Sequence, residues 1–279
     1  MSYLSISTWS LHRILGPLRW TIWDTETSSH QISEQEQPQL LTLLELPAEA
    51  AARDYQALEV CHFHFASTEP EYLEQLKKSF HEANIKFDTL LLDYGDITSA
   101  DENKRLADLS LIKKWIDIAS LCGAKQIRVI AGEASPTNEA AIQISAASLA
   151  ELASYGASKA VHVITENFKS LPSTAESSLK LLAQAGSQLG FITDFGNYHG
   201  EGKVEEIGAT APLSVSVHVK PTYDQAGFPD KNELITFLNK VEETGYDGAY
   251  VLIYDGPGDM WAGLERVKAI VKPFLLTVR

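Results

Sequence analysis

Eight short runs rich in Val, Ile, Leu, Phe or Tyr recur along this chain, each followed by a longer segment. They are Tyr3–Thr8, Ala57–Cys61, Phe87–Leu92, Gln126–Ile130, His162–Thr165, Gly190–Thr193, Ser214–Val217 and Ala249–Ile253. Runs that are apolar without alternation read as strands covered on both faces, the pattern of a parallel sheet. Strands that alternate with helices imply right-handed βαβ units. Eight such units in 279 residues predict a closed (β/α)8 barrel rather than an open sheet, since such barrels run to about 250 residues as one domain. An open nucleotide-binding sheet usually carries a glycine-rich phosphate loop after its first strand. Neither G-x-G-x-x-G nor G-x-x-x-x-G-K-[ST] occurs here.

The intervening segments carry helix periodicity and helix-end signals. Ser99 with Glu102 reads as a capping box before Leu106, Leu109, Ile112 and Ile116, with Gly123 as the stop. Ser135-Pro136 reads as a cap with an N1 proline before Ile142, Ala146, Leu149 and Ala153. Asp230 and Asp259 precede two further periodic stretches, which Gly245 and Pro273 close. Asn84 ends a helix whose buried stripe includes Leu73, Leu76 and Phe80. The irregular part is Leu11 to Pro47, too long for a simple βα connection. It is expected to be an extended first βα loop at the barrel mouth, with a small hairpin pairing Arg19–Trp23 with Leu40–Leu44. As function it reads as a lid, as structure as surface decoration. Nothing marks a second domain, so residues 1–279 are expected to form one.

Lys and Arg number 23 against 37 Asp and Glu, a formal net charge of −14. Such a field repels phosphate backbones, and no basic patch offsets it, so a nucleic-acid partner is not expected. The pairs Lys77-Lys78 and Lys113-Lys114 sit in helix patterns with acidic neighbours and read as solvated faces. No apolar stretch reaches membrane-spanning length, and the first residues lack a leader pattern. With Cys61 and Cys122 alone, no disulfide framework can be written. The expected location is the cytoplasm.

In a barrel of this kind, chemistry gathers where strands end at the C-terminal face. The fifth strand run ends in Thr165-Glu166-Asn167, the sixth in Thr193-Asp194-Phe195-Gly196-Asn197, and the seventh in Val217-His218-Val219-Lys220. Glu166, Asp194 and His218 therefore fall at matching points of three consecutive modules, which adjacent strands would bring together. Two carboxylates and an imidazole suit Mn²⁺, Mg²⁺, Co²⁺ or Zn²⁺. Singly, each residue reads as an ordinary polar strand end; three at equivalent places read as ligands. Lys220, two residues past His218, points to the same side and reads either as a rim lysine or as the cation for a phosphate or enediolate oxygen.

The chain resembles the xylose-isomerase-like TIM-barrel superfamily, in the branch of sugar-phosphate isomerase/epimerase-like proteins. The resemblance rests on Ile6-Ser7-Thr8-Trp9-Ser10-Leu11, Leu58-Glu59-Val60-Cys61-His62-Phe63-His64, Gly123-Ala124-Lys125-Gln126-Ile127-Arg128-Val129, Thr165-Glu166-Asn167, Asp194-Phe195-Gly196-Asn197, His218-Val219-Lys220 and Gly245-Tyr246-Asp247-Gly248. It implies one divalent metal held by Glu166, Asp194 and His218, with Glu166 doubling as acid/base. The family's fourth ligand, a Glu ending the eighth strand and serving as the second acid/base, falls on Ile253, which cannot ligate. Asp255, two residues on, would replace it only if the strand end bulges.

Around this centre, His64 and Trp9 are expected to meet substrate hydroxyls and a sugar face, and Asn197 and His199 to contact substrate from the loop after Asp194. His199 reaching a second metal, as in nuclease relatives, would need further ligands and a basic groove. Glu59 reads as a support beneath the site or a salt-bridged barrel residue. His12, His30, His81 and His162 read as structural or surface residues. The resemblance implies a sugar isomerase or epimerase that moves a proton next to a carbonyl and acts on a small carbohydrate; many barrels of this kind pair through their faces, so a homo-oligomer stays open, with no surface marked for it. The alternatives are a sugar-binding barrel that has lost its full metal site, an inosose-dehydratase-like lyase, and an endonuclease-like hydrolase.

Overall fold

The computed structural model describes residues 2–275. The first strand, β1 (Tyr3–Ser7), is followed by a hairpin of β2 (Leu18–Asp24) and β3 (Ser29–Gln35). Helix α1 (Leu46–Ala51) leads to β4 (Ala57–Cys61), α2 (Pro70–Glu82) to β5 (Lys86–Leu91), and α3 (Glu102–Cys122) to β6 (Gln126–Arg128). The pattern continues with α4 (Glu139–Ser158), β7 (His162–Glu166), α5 (Ala175–Ala185), β8 (Gly190–Asp194) and α6 (Lys203–Thr210). It closes with β9 (Ser214–Val219), α7 (Lys231–Glu243), β10 (Ala249–Leu252) and α8 (Met260–Val271). Each of the eight apolar runs is a strand, within two residues at either end.

Strands β1, β4 and β5 to β10 form one closed barrel of parallel pairs, in the circular order β1-β10-β9-β8-β7-β6-β5-β4. This is the (β/α)8 TIM barrel that the alternation predicts. One side-chain set of each strand faces the helices. Leu58, Val60, Leu90, Ile127 and Val163 pack there against helix residues such as Leu76, Ile116 and Leu149 in the main core. In α3 the buried residues Ile112, Trp115, Ile116 and Ala119 recur at helical spacing, so a single stripe meets the sheet. Burying one such large side chain contributes roughly 1.5–3 kcal/mol.

The barrel interior is chemically different. Towards the mouth a small apolar group forms from Cys61, Phe63, Leu91, Ile164 and Ile192, with Leu18 of the hairpin. Below the site lies Glu59, 1% exposed, whose Oε1 accepts from Thr89 at 3.0 Å and Ser216 at 3.3 Å. A buried charge is tolerable only with such partners.

Three local expectations change. The hairpin joins β2 to β3, with Trp20 opposite Ser33 and Trp23 opposite His30, rather than to Leu40–Leu44. The reason is local closure: Asp24 accepts from the Glu26 and Thr27 amides, and Ser28 takes φ 49°, turning the chain back at once. Asp101, not Ser99, caps α3, accepting from Asn103 and Lys104. Asn138, not Ser135, caps α4, accepting from Ala141, because the helix begins three residues beyond Pro136. The caps at Asp230 and Asp259 are as expected.

Candidate metal centre

Strands β7, β8 and β9 are hydrogen-bonded neighbours, and Asp194 stands directly opposite His218 in their register. The three strand ends therefore deliver Glu166, Asp194 and His218 to one place. All three are buried, and one ligand atom from each lies within 4.8 Å of the others. His218 Nδ1 is 3.3 Å from Glu166 Oε1 and 3.4 Å from Asp194 Oδ2. Its other ring nitrogen, Nε2, is 2.7 Å from Glu59 Oε2. An imidazole that donates from Nε2 to Glu59 presents Nδ1 to the two carboxylates. This is the arrangement in which an outer carboxylate fixes the tautomer of a metal-binding histidine.

The remaining oxygens are already occupied. Asp194 Oδ1 accepts from the Gly196 amide at 2.6 Å, and the Asn167 side chain clasps the Asp194 backbone with bonds of 2.7 and 3.0 Å. Asn197 Nδ2 donates to Glu166 Oε1 at 3.2 Å. On the far side, Glu166 Oε2 lies 3.0 Å from Arg128 Nε, while Arg128 Nη2 is 2.5 Å from Asp93 Oδ1. Arg128 thus braces Glu166 from the next strand, β6. It stands in an apolar run, and its burial among Ile127 and Val129 demands the carboxylate partners it finds.

The charges follow from these contacts. Burial opposes a charge on His218, but Glu166 and Glu59 outweigh it and hold the imidazole well above its ordinary pKa. Burial raises the Glu166 carboxyl, yet His218 and Arg128 prevail and keep it below the ordinary glutamate range. Burial likewise works against Lys220, but Asp194 and Asp255 keep its ammonium above the usual lysine value. Lys220 is thus a charged donor rather than a base.

The residues fit a divalent cation. One nitrogen and two carboxylate oxygens converge, with the Asn197 amide donating to Glu166 Oε1 from the side, so the point between them favours a positive species, a proton on Nδ1 or a metal ion. Separations of 3.3 and 3.4 Å are what bonds of about 2.0–2.2 Å leave between neighbouring ligands of a tetrahedral shell. The triad opens on a cavity of about 300 Å³.

The other expected site residues divide. Trp9 and Asn197 line this cavity, and Trp9 stacks on His12 with ring centroids 4.3 Å apart. Lys220 lines it too, 3.4 Å from Asp255 Oδ2. Ile253 lines the cavity where the fourth ligand is expected, and Asp255 stands outside the ligand cluster. His64 does not reach the cavity: the chain leaves β4 in a tight turn over His62–His64, strand alternation ends, and Phe63 takes the inward position. His64 Nδ1 meets Thr8 Oγ1 at 2.8 Å instead. His199 is exposed and lines a separate groove beside Lys203 and Thr222. Glu59, Arg128 and Asp93 complete the site; the signal for Arg128 was a cation inside an apolar strand.

Several solved structures share this architecture. An L-ribulose 3-epimerase superposes with a TM-score of 0.70 at 16% identity, covering 99% of this chain and 95% of the other. An IOLI protein with a bound zinc atom gives 0.71 at 15% identity, covering 98% of each chain. The probable 3-DHS dehydratase AsbF of Bacillus anthracis gives 0.68 at 16% identity, covering 97% and 99%. At such identities the likeness is one of fold. No curated protein matches the sequence significantly. No helix among the described residues is long and apolar enough to cross a membrane. The family model of the xylose isomerase-like TIM barrel matches residues 47–270; the chain belongs to that family.

Proposed function

We propose that this protein is a metal-dependent enzyme that moves a proton next to the carbonyl of a small polyhydroxylated compound, the step shared by sugar isomerases and epimerases. The observation that carries the reading is the convergence of Glu166, Asp194 and His218 within 4.8 Å at the floor of a cavity on the strand-end face. That the neighbouring folds include an L-ribulose 3-epimerase, a D-tagatose 3-epimerase-like protein and a probable dehydratase supports the same class.

Glu166, Asp194 and His218 would hold the ion, with Glu59 fixing the imidazole. The bound ion would polarise the carbonyl and orient the adjacent hydroxyl. Glu166 accepts the α-proton, its carboxylate kept ionised by Arg128 and positioned by Asn197. Lys220, held charged at the rim, stabilises the oxygen on which negative charge develops. Trp9 and Asn197 orient the substrate.

Metal analysis of protein purified without chelator, followed by α-proton exchange in deuterated water over a panel of ketoses, tests the reading. One divalent ion per chain and exchange lost in Glu166→Gln are expected; no exchange from any ketose contradicts it. One observation favours a second reading, a binding barrel without catalysis: Ile253 stands where the family places a ligand and acid/base. Sugar binding without metal and without exchange would select that alternative.

A further inference from the structure

The β2–β3 hairpin stands apart from the barrel as a two-stranded sheet, and its strands differ in what they touch. β2 leans on the barrel: Leu18 joins the apolar group at the mouth, Trp20 lies 4.3 Å from Phe63, and Thr21 Oγ1 is 3.4 Å from His62 Nε2. β3 is the outer strand, and Gln31, Ile32, Ser33, Glu34 and Gln35 are exposed one after another, whichever face they point to. Among the described residues, the backbone of β3 pairs only with β2. Its far edge therefore presents a row of unpaired N–H and C=O groups, a template for another strand.

Proteins commonly blunt such an edge with lysine, proline or a bulge. Ser29-His30-Gln31-Ile32-Ser33-Glu34-Gln35 contains neither residue, and its ladder runs from Leu18 opposite Gln35 to Asp24 opposite Ser29 without a shift of register. At its centre Ile32 is 59% exposed, with Ile22 at 45% and Leu40 at 79% close by in the chain. Three of the eight exposed large apolar side chains among the described residues thus fall between positions 22 and 40. Apolar groups gathered on an open edge mark a contact surface.

Charge and symmetry say what fits there. At a net charge of −14, most of the surface repels a second copy. The edge strand carries a single acidic residue, Glu34, and Arg19 offsets it at 3.1 Å. The strand is also complementary to itself, as a two-fold contact requires. Antiparallel pairing centred on Ile32 sets Ile32 against Ile32, Gln31 against Ser33, His30 against Glu34 and Ser29 against Gln35. The exposed apolar side chains coincide, and no like charges oppose each other.

We propose that β3 is a dimerisation edge: two copies of this chain join their hairpins into one four-stranded antiparallel sheet across a two-fold axis. Seven residues from each copy make a contact small beside the roughly 1,200–2,000 Å² of a standard interface, so the dimer dissociates on dilution. The partner's strand steadies β2, which carries Trp20 into the main cavity. The inference is independent of the proposed chemistry.

Sedimentation equilibrium of the whole protein over a dilution series tests it. A reversible monomer–dimer equilibrium is expected, and a monomer at every concentration overturns the proposal. Ile32→Lys sets two ammonium groups face to face and should weaken the dimer by about 10-fold or more, whereas Ile32→Val should keep it; a dimer equally tight in Ile32→Lys overturns the proposal too. Cross-linking tests the register. Directly opposed residues of antiparallel strands have Cα atoms about 4.5–5.5 Å apart, within the roughly 4.4–6.8 Å that a disulfide spans. Cys61 and Cys122 are both buried, so the native thiols contribute little background. Under mild oxidation Ile32→Cys should cross-link to itself. Gln31→Cys alone and Ser33→Cys alone should not, because each lies diagonal to its own copy at about 7–8 Å, but a mixture of the two should. Absence of the Ile32→Cys cross-link, or equal cross-linking by Gln31→Cys alone, contradicts the pairing.

Discussion

Two strand ends of this barrel carry histidine, and they finish in opposite chemistry. After β4, His62 and His64 sink into the wall with no carboxylate oxygen hydrogen-bonded to either ring, and burial drives their pKa values down to about 4 and about 3, Asp93 opposing it only in part at His62. In β9, His218 is as deeply buried but stands between Glu59, Glu166 and Asp194, and its pKa rises. The residue type is the same and so is the burial. What differs is whether the neighbouring strands bring carboxylates into contact with the ring, as they do at His218, and that is decided by register around the barrel. A buried histidine with no anion in contact with its ring is a packing element; one facing two carboxylates across 3.3 and 3.4 Å is a ligand in waiting.

The contrast can be broken most forcefully at Arg128, which offsets the carboxylates on the β9 side. Arg128→Met removes the guanidinium from the buried Glu166 and the half-buried Asp93 and should cost about 3–5 kcal/mol of stability, read from denaturant midpoints; a change below about 1 kcal/mol would show the brace to be unimportant. Next comes acidification on the β4 side. The folded pKa values of His62 and His64 lie below the unfolded value, so the unfolded chain binds more protons between pH 6.5 and about 4. Their contribution is intact above that window and is lost as pH falls through it. His64→Asn should therefore flatten the stability profile by about 2 kcal/mol between pH 6.5 and 4.5, and an unaltered slope would contradict the assignment.

A smaller effect is expected beneath the ligands. Glu59→Gln removes the charge that orients His218 and should weaken divalent-metal binding about 10- to 100-fold in calorimetric titration, with the fold retained; an unchanged affinity would make Glu59 a bystander. The smallest effect belongs to His199. It is exposed and outside the main cavity, so His199→Ala should shift stability by less than about 0.5 kcal/mol and leave metal binding alone.

The barrel was legible because its strands are short, apolar and covered on both faces, a pattern that survives without any alignment. The three ligands were legible for a related reason: a polar residue that ends an apolar run three times in succession must meet its counterparts when the strands pair. The errors fall where local polar chemistry competes with hydrophobic pattern. Leu40–Leu44 looks like the partner for Trp20 because it is apolar, whereas the true partner, Ser29–Gln35, is polar and is selected by a turn only a few residues long. Ser99 and Ser135 look like caps, but Asp101 and Asn138 lie nearer the first helical turn and do the capping. His64 was misplaced because alternation was extended past the last residue of β4 into a turn. Arg128 was visible as a cation in an apolar strand, yet its partners depend on the neighbouring strand ends, which sequence alone does not align.

The central claim is that Glu166, Asp194 and His218 together grip one cation, and titration of the metal-stripped protein with Mn²⁺ and Zn²⁺ tests it most directly. One ion should bind per chain, and His218→Ala should weaken it by more than about 100-fold, beyond what outer partners alone control. An absence of binding, or binding that persists undiminished in His218→Ala, would contradict it.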